Sequence, residues 1–144
     1  GKYDISIDYL QRIISTNPDL RSDLQCYARL LHLMAHYELG NFEIMESLIR
    51  SVYRFMAKMQ NLTVVEEEMF KFLRNSFLLS RTQLKLAFEN FLVTLKKLEN
   101  DRFQTRSFAY LDIISWVESK VFEKPLSKVI NEKYLARRKR HYEA

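Results

Sequence analysis

Glycine and proline are scarce in this 144-residue chain: two of each, Gly1, Gly40, Pro18 and Pro125. Sheet-rich folds use those residues in turns and bulges, so their scarcity leaves long helices as the favoured backbone. Cysteine occurs once, at Cys26. That excludes an internal disulfide and fits a reducing, cytoplasmic setting. Cys26 lies in an apolar helical stretch and reads as a small buried hydrophobe rather than a reactive thiol. Long apolar runs are missing too, because Arg, Lys, Glu or His interrupts each one before the roughly 18 residues a bilayer span needs. The first residue is Gly1 rather than Met. It reads as an expression remnant, with more chain expected upstream.

Apolar residues make up 47% and charged residues 28% of the chain, too apolar a mixture for disorder. A chain of this length buries roughly 70% of its unfolded surface, enough for a real core. The net charge of +5 is unevenly placed. Before Glu132 there are 18 basic and 16 acidic residues, whereas from Glu132 onward five basic side chains face two acidic ones. The body is nearly balanced and the basicity belongs to the tail.

Apolar periodicity predicts seven helices and no strand. The first covers about Ile5 to Thr16 and is stopped by Asn17-Pro18-Asp19. The second, from Ser22 to Leu39, is apolar on more than one side: Leu24, Tyr27, Leu31 and Met34 form one stripe beside Leu30, Leu33 and Tyr37. Such breadth implies neighbours on two sides. Gly40-Asn41 ends it, and the third runs from Phe42 to Gln60 with Met45, Leu48, Val52, Phe55 and Met59 on its buried face. Thr63-Val-Val-Glu66 reads as a capping box opening a fourth, to about Phe77. The fifth spans Thr82 to Glu99, the sixth Phe103 to Phe122, and the last Pro125 to Leu135.

The 34 residues from Cys26 to Met59 form two helices around a glycine turn, and Tyr37-Glu-Leu-Gly-Asn-Phe42 carries an aromatic, the turn glycine and a second aromatic. This stretch resembles a tetratricopeptide (TPR) repeat. It departs from that pattern at Leu33 and Met45, where the family keeps small residues, and at Ala57, where a closing proline is common. The first segment resembles the second helix of a preceding repeat, with Ser6 small, Leu10 and Ile13 packing, and Pro18 closing. The chain is similar to the C-terminal part of bacterial TPR-like proteins. That resemblance implies an all-α fold of about seven antiparallel helices stacked as an α-α superhelix. It divides the single domain into a truncated repeat (1–20), a divergent pair (21–60) and atypical C-terminal helices (61–144), and an array that begins inside a repeat.

Candidate chemistry is thin. His32 and His36 share a helix face, but a zinc-peptidase motif needs Glu after the first His and here Leu33 stands there, so packing is preferred to a metal. Glu66, Glu67 and Glu68 point in different directions and read as a solvated first turn complementing the helix dipole. Asn61-Leu62-Thr63 matches a glycosylation acceptor, but Thr63 already has a capping role. No glycine-rich phosphate loop or serine nucleophile elbow occurs. An enzyme is therefore not expected, nor a cofactor or metal. Ten Phe, eight Tyr and one Trp are assigned mainly to the core.

The expected function is protein–protein interaction. Its concave surface would be lined by Arg29, His32 and His36 of the second helix and Lys85 and Glu89 of the fifth, receiving a protein or peptide partner. A structural capping role predicts instead an exposed apolar face along Tyr9, Ile13 and Ile14, with self-association through the first helix. Arg137-Arg-Lys-Arg140 and His141 form the remaining alternative, contact with nucleic acid or an anionic surface. Basic residues also stabilise a helix C-terminus without any ligand, and that reading is preferred.

Overall fold

A computed structural model describes residues 2–16, 22–101 and 112–143. The protein is all-α: seven helices, and no strand among the described residues. They are α1 Tyr3–Thr16, α2 Ser22–Glu38, α3 Phe42–Lys58, α4 Val64–Ser76, α5 Arg81–Glu99, α6 Ile113–Val121 and α7 Leu126–Glu143. Two compact units result, Gly1–Phe77 and Leu78–Ala144.

In the first unit each helix packs on the next in the chain, α1 on α2, α2 on α3 and α3 on α4. The middle position of α2 follows from its sequence. Gln25, Cys26, Ala28, Leu30, His32, Leu33, Met34, Ala35 and Tyr37 are all buried, so apolar or small residues surround most of the helix. Leu24, Tyr27 and Leu31, expected to lead its apolar stripe, are only half-buried. The core is completed by Met45, Ile49, Val52 and Met56 of α3 and by Val65, Met69, Phe70 and Leu73 of α4. The hydrophobic pattern of α3 is narrower and its outer face is exposed, as expected of a helix with fewer neighbours.

The turn between α2 and α3 holds this pair antiparallel. Gly40 has φ +73°, its N–H donates to the Tyr37 carbonyl, and the Asn41 N–H donates to the His36 carbonyl, both at 3.1 Å. These two bonds satisfy carbonyls that the helix end would otherwise orphan. Tyr37 and Phe42 then meet edge to face across the turn, centroids 5.9 Å apart, with Phe77 packed 5.4 Å from Phe42. α3 ends the same way with Gln60 in the left-handed position, φ 56°, and the Asn61 N–H bonded to the Met56 carbonyl.

The second unit is built around Trp116. It is 2% exposed and meets Phe88 of α5 edge to face at 5.8 Å. Phe91, Leu92 and Leu95 of α5 and Ile113, Ile114 and Val117 of α6 complete this core. α5 begins one residue earlier than its periodicity suggests, because Ser80 and Gln83 form a reciprocal cap. The sixth helix differs more from expectation. Asp112 is its N-cap, accepting the Ser115 N–H at 3.0 Å, so α6 starts at Ile113 rather than Phe103. Residues 103–111 of the expected helix lie outside the described residues, as does the Asn17-Pro18-Asp19 breaker.

α7 is longer than expected, continuing past Leu135 through the basic run to Glu143. It rests on α6 through Val129, its one buried side chain among the described residues. Lys133 fastens the contact, donating to the Ser115 hydroxyl at 2.7 Å and to the Glu118 carboxylate at 2.8 Å. The turn before α7 again uses a left-handed residue that is not glycine, Glu123 with φ 53°, while the Lys124 N–H bonds the Ser119 carbonyl at 3.0 Å.

An L-residue in that conformation costs on the order of 1 kcal/mol relative to glycine, partly offset by glycine's larger unfolded-state entropy. Gln60→Gly and Glu123→Gly are each expected to leave stability unchanged or raise it by up to about 1 kcal/mol in urea unfolding, whereas Gly40→Ala lowers it by about 1 kcal/mol.

Candidate functional site

The expected groove residues are separated by the fold into different environments. Arg29 lies half-buried, its guanidinium 3.8 Å from the centre of the Phe55 ring on α3. Its Nε is buried without a hydrogen-bond partner, so the side chain is held chiefly by its flat contact with the aromatic face. His32 is buried, at 8% exposure, and is not part of any exposed surface. His36 is half-buried; its ring stands edge-on to His32 at 4.6 Å and its Nδ1 lies 3.1 Å from the Asn41 side-chain nitrogen. Lys85 and Glu89 are exposed on α5, in the second unit.

The histidine pair is therefore packed between helices. No cluster of three His, Cys, Asp or Glu side chains suited to a metal occurs among the described residues. Burial, then His36, then Arg29 hold the His32 imidazole below its ordinary value of 6.5; burial alone lowers His36. Both rings favour their neutral forms, which can pack and exchange hydrogen bonds without the desolvation cost of a buried cation.

Glu66 corrects a second expectation. It is buried rather than solvated, 8% exposed, because its side chain folds back over the start of α4. The Thr63 N–H donates to Glu66 Oε2 at 3.2 Å, and the Thr63 hydroxyl bonds the same oxygen. Desolvation raises this carboxyl above its ordinary 4.5, against the pull of the backbone hydrogen bonds. Glu67 is exposed, as expected. Cys26 is buried, with its thiol raised chiefly by desolvation and with the Asn61 amide 3.6 Å from its sulfur. Asn61 is half-buried, and its side-chain amide is turned toward this thiol.

One arrangement escaped sequence reasoning. Ser115, Lys133, Asp112 and Glu118 form a continuous polar network between α6 and α7. The Ser115 hydroxyl donates to Asp112 Oδ2 at 2.6 Å and accepts from Lys133 at 2.7 Å. A serine next to a lysine suggests a nucleophile and its base. Ser115 has no exposed surface, however, and a nucleophile must be reached by its substrate. The network satisfies buried polar groups and ties the two helices together. Its signal was the spacing Asp112-x-x-Ser115, an N-cap pattern hidden inside what periodicity read as one long helix.

No family model, curated protein or solved structure matches the chain. No helix among the described residues is long and apolar enough to cross a membrane.

The lowered His32 value fixes a sign. Below about pH 6.5 the unfolded chain takes up a proton that the folded chain refuses, so the stability associated with neutral His32 is present above that pH and lost as pH falls. Glu66 acts oppositely, since a raised carboxyl contributes stability that is lost as pH rises through its folded value. Comparing variants separates the two. His32→Leu is expected to gain stability relative to wild type as pH falls from about 7.5 to about 5 in urea titrations. A difference that stays constant across that range would contradict the assignment.

Proposed function

We propose that the chain is a non-enzymatic protein-interaction scaffold whose first unit is a divergent TPR-like stack. The glycine-turned pair α2–α3, with its Tyr37–Phe42 contact and neighbour-on-neighbour packing, supports the repeat reading, since repeat arrays bury their cores between successive units. The observation that carries the interaction reading is the outer face of α1. Ile5 and Tyr9 stand one turn apart on the same face and are 64% and 67% exposed, while Ile13 and Ile14 are half-buried. Adjacent large apolar side chains in the open are characteristic of surfaces that receive another helix.

The surface of interest therefore moves from the histidines of α2 to α1. Arg29 contributes structure through Phe55 rather than recognition, and the partner is a protein or peptide that lays an amphipathic helix over Ile5 and Tyr9, either from another protein or from a second copy of this chain.

Sedimentation equilibrium of wild type beside Ile5→Lys/Tyr9→Lys tests this, with helicity monitored by circular dichroism. Concentration-dependent association lost in the double variant supports self-docking, and selective loss of captured cellular proteins in the variant supports a separate partner. If the variant matches wild type in both mass and captured proteins, the α1 surface has no such role.

A further inference from the structure

The end of α7 carries a surface that the scaffold reading does not use. From Tyr134 to Tyr142 every residue is exposed, and the side chains that fasten the helix to α6, Val129 and Lys133, lie in its first half. Within this exposed stretch Tyr134, Arg137, Arg138, His141 and Tyr142 recur at spacings of three and four, which places them on one side of the helix. They line one open, shallow stretch of surface. This side lies opposite Val129, the residue that packs inward. Arg138 leans over the Tyr142 ring at 5.8 Å, and the His141 and Tyr142 rings meet at 6.1 Å. The acidic residues of α7 are Glu132 and Glu143, neither within this set; Glu132 is paired with Lys124 at 3.3 Å.

We propose that this face of α7 binds single-stranded nucleic acid. Two guanidinium groups offer charge-assisted hydrogen bonds to phosphates, and flat side chains alternate with them to stack on unpaired bases, the combination that single strands require. The distribution of side chains along α7 selects this partner over a membrane. A helix that lies on a bilayer collects its apolar residues on one side. Here Arg137, Arg138, Lys139 and Arg140 follow one another around the whole circumference, so no side of this end lacks a basic residue. An acidic peptide would satisfy the charges but leave the aromatic rings without a role. A purely dipolar role for the basic run would concern the last turn alone, whereas Tyr134, Arg137 and Arg138 precede it.

Fluorescence anisotropy with labelled single-stranded RNA and DNA oligonucleotides of mixed sequence tests the proposal. Wild type is expected to bind at low salt and weaken between about 50 mM and about 200 mM, and Arg137→Gln/Arg138→Gln to reduce the log–log salt slope by about 1.4, the share of two phosphates. Tyr134→Ala is expected to weaken binding about fivefold or more at unchanged slope, with Tyr134→Phe restoring it. These positions are exposed, and circular dichroism of each variant separates lost binding from lost helix. The proposal is overturned by absence of binding at low salt, by Tyr134→Ala binding like wild type, by equal competition from polyglutamate, or by preference for phosphatidylserine vesicles over the oligonucleotide.

Discussion

Burial of α2 on nearly all sides is the constraint from which the first unit follows. With Leu33 wholly enclosed and Leu30, Met34 and Tyr37 nearly so, this helix needs α1 on one flank and α3 on the other, and its own apolar surface is the reason both are held. Each such side chain contributes on the order of 1.5–3 kcal/mol when taken from water, so several together outweigh the cost of enclosing His32 and part of Arg29. The Gly40 turn makes the arrangement possible: a left-handed residue lets α3 reverse within three residues and come back along α2. Polar groups caught inside are accommodated by staying neutral, as His32 does, or by local hydrogen bonds, as Glu66 does.

Among the described residues, the second unit combines an aromatic centre with polar fastening. Trp116 and Phe88 supply its centre, and the Asp112–Ser115–Lys133–Glu118 network attaches α7 where Val129 alone would give little area. Beyond Lys133 the helix is exposed at every residue from Tyr134 to Tyr142. The chain thus offers two exposed features of opposite character, an apolar stripe on α1 and a basic, aromatic face on α7.

Elements with a local chemical signal were legible in the sequence. Gly40-Asn41 and Thr63-x-x-Glu66 marked their boundaries through turn and cap geometry, and the breadth of apolar positions in α2 announced its two neighbours. Ser80-x-x-Gln83 and Asp112-x-x-Ser115 carried equally local signals that apolar periodicity overrode, which is why α5 was begun late and α6 was begun at Phe103. α7 was cut short because its final turns have no apolar period, although Lys, Arg and Glu sustain a helix by propensity alone. The exposure of His32 was hidden for another reason. Whether His32 faces solvent depends on which side of α2 the adjoining helices choose, and a helix apolar on several sides does not fix that choice.

Native-state hydrogen exchange followed by mass spectrometry tests the central claim most directly, because it orders helices by the cost of exposing them. Amides of α2 from Cys26 to Tyr37 are predicted to be among the slowest in the first unit, and those of α7 beyond Lys133 to exchange far faster than those of α6. Rapid exchange along α2, or protection at 134–142 equal to that of α6, would contradict an account built on an enclosed α2 and an exposed α7 end.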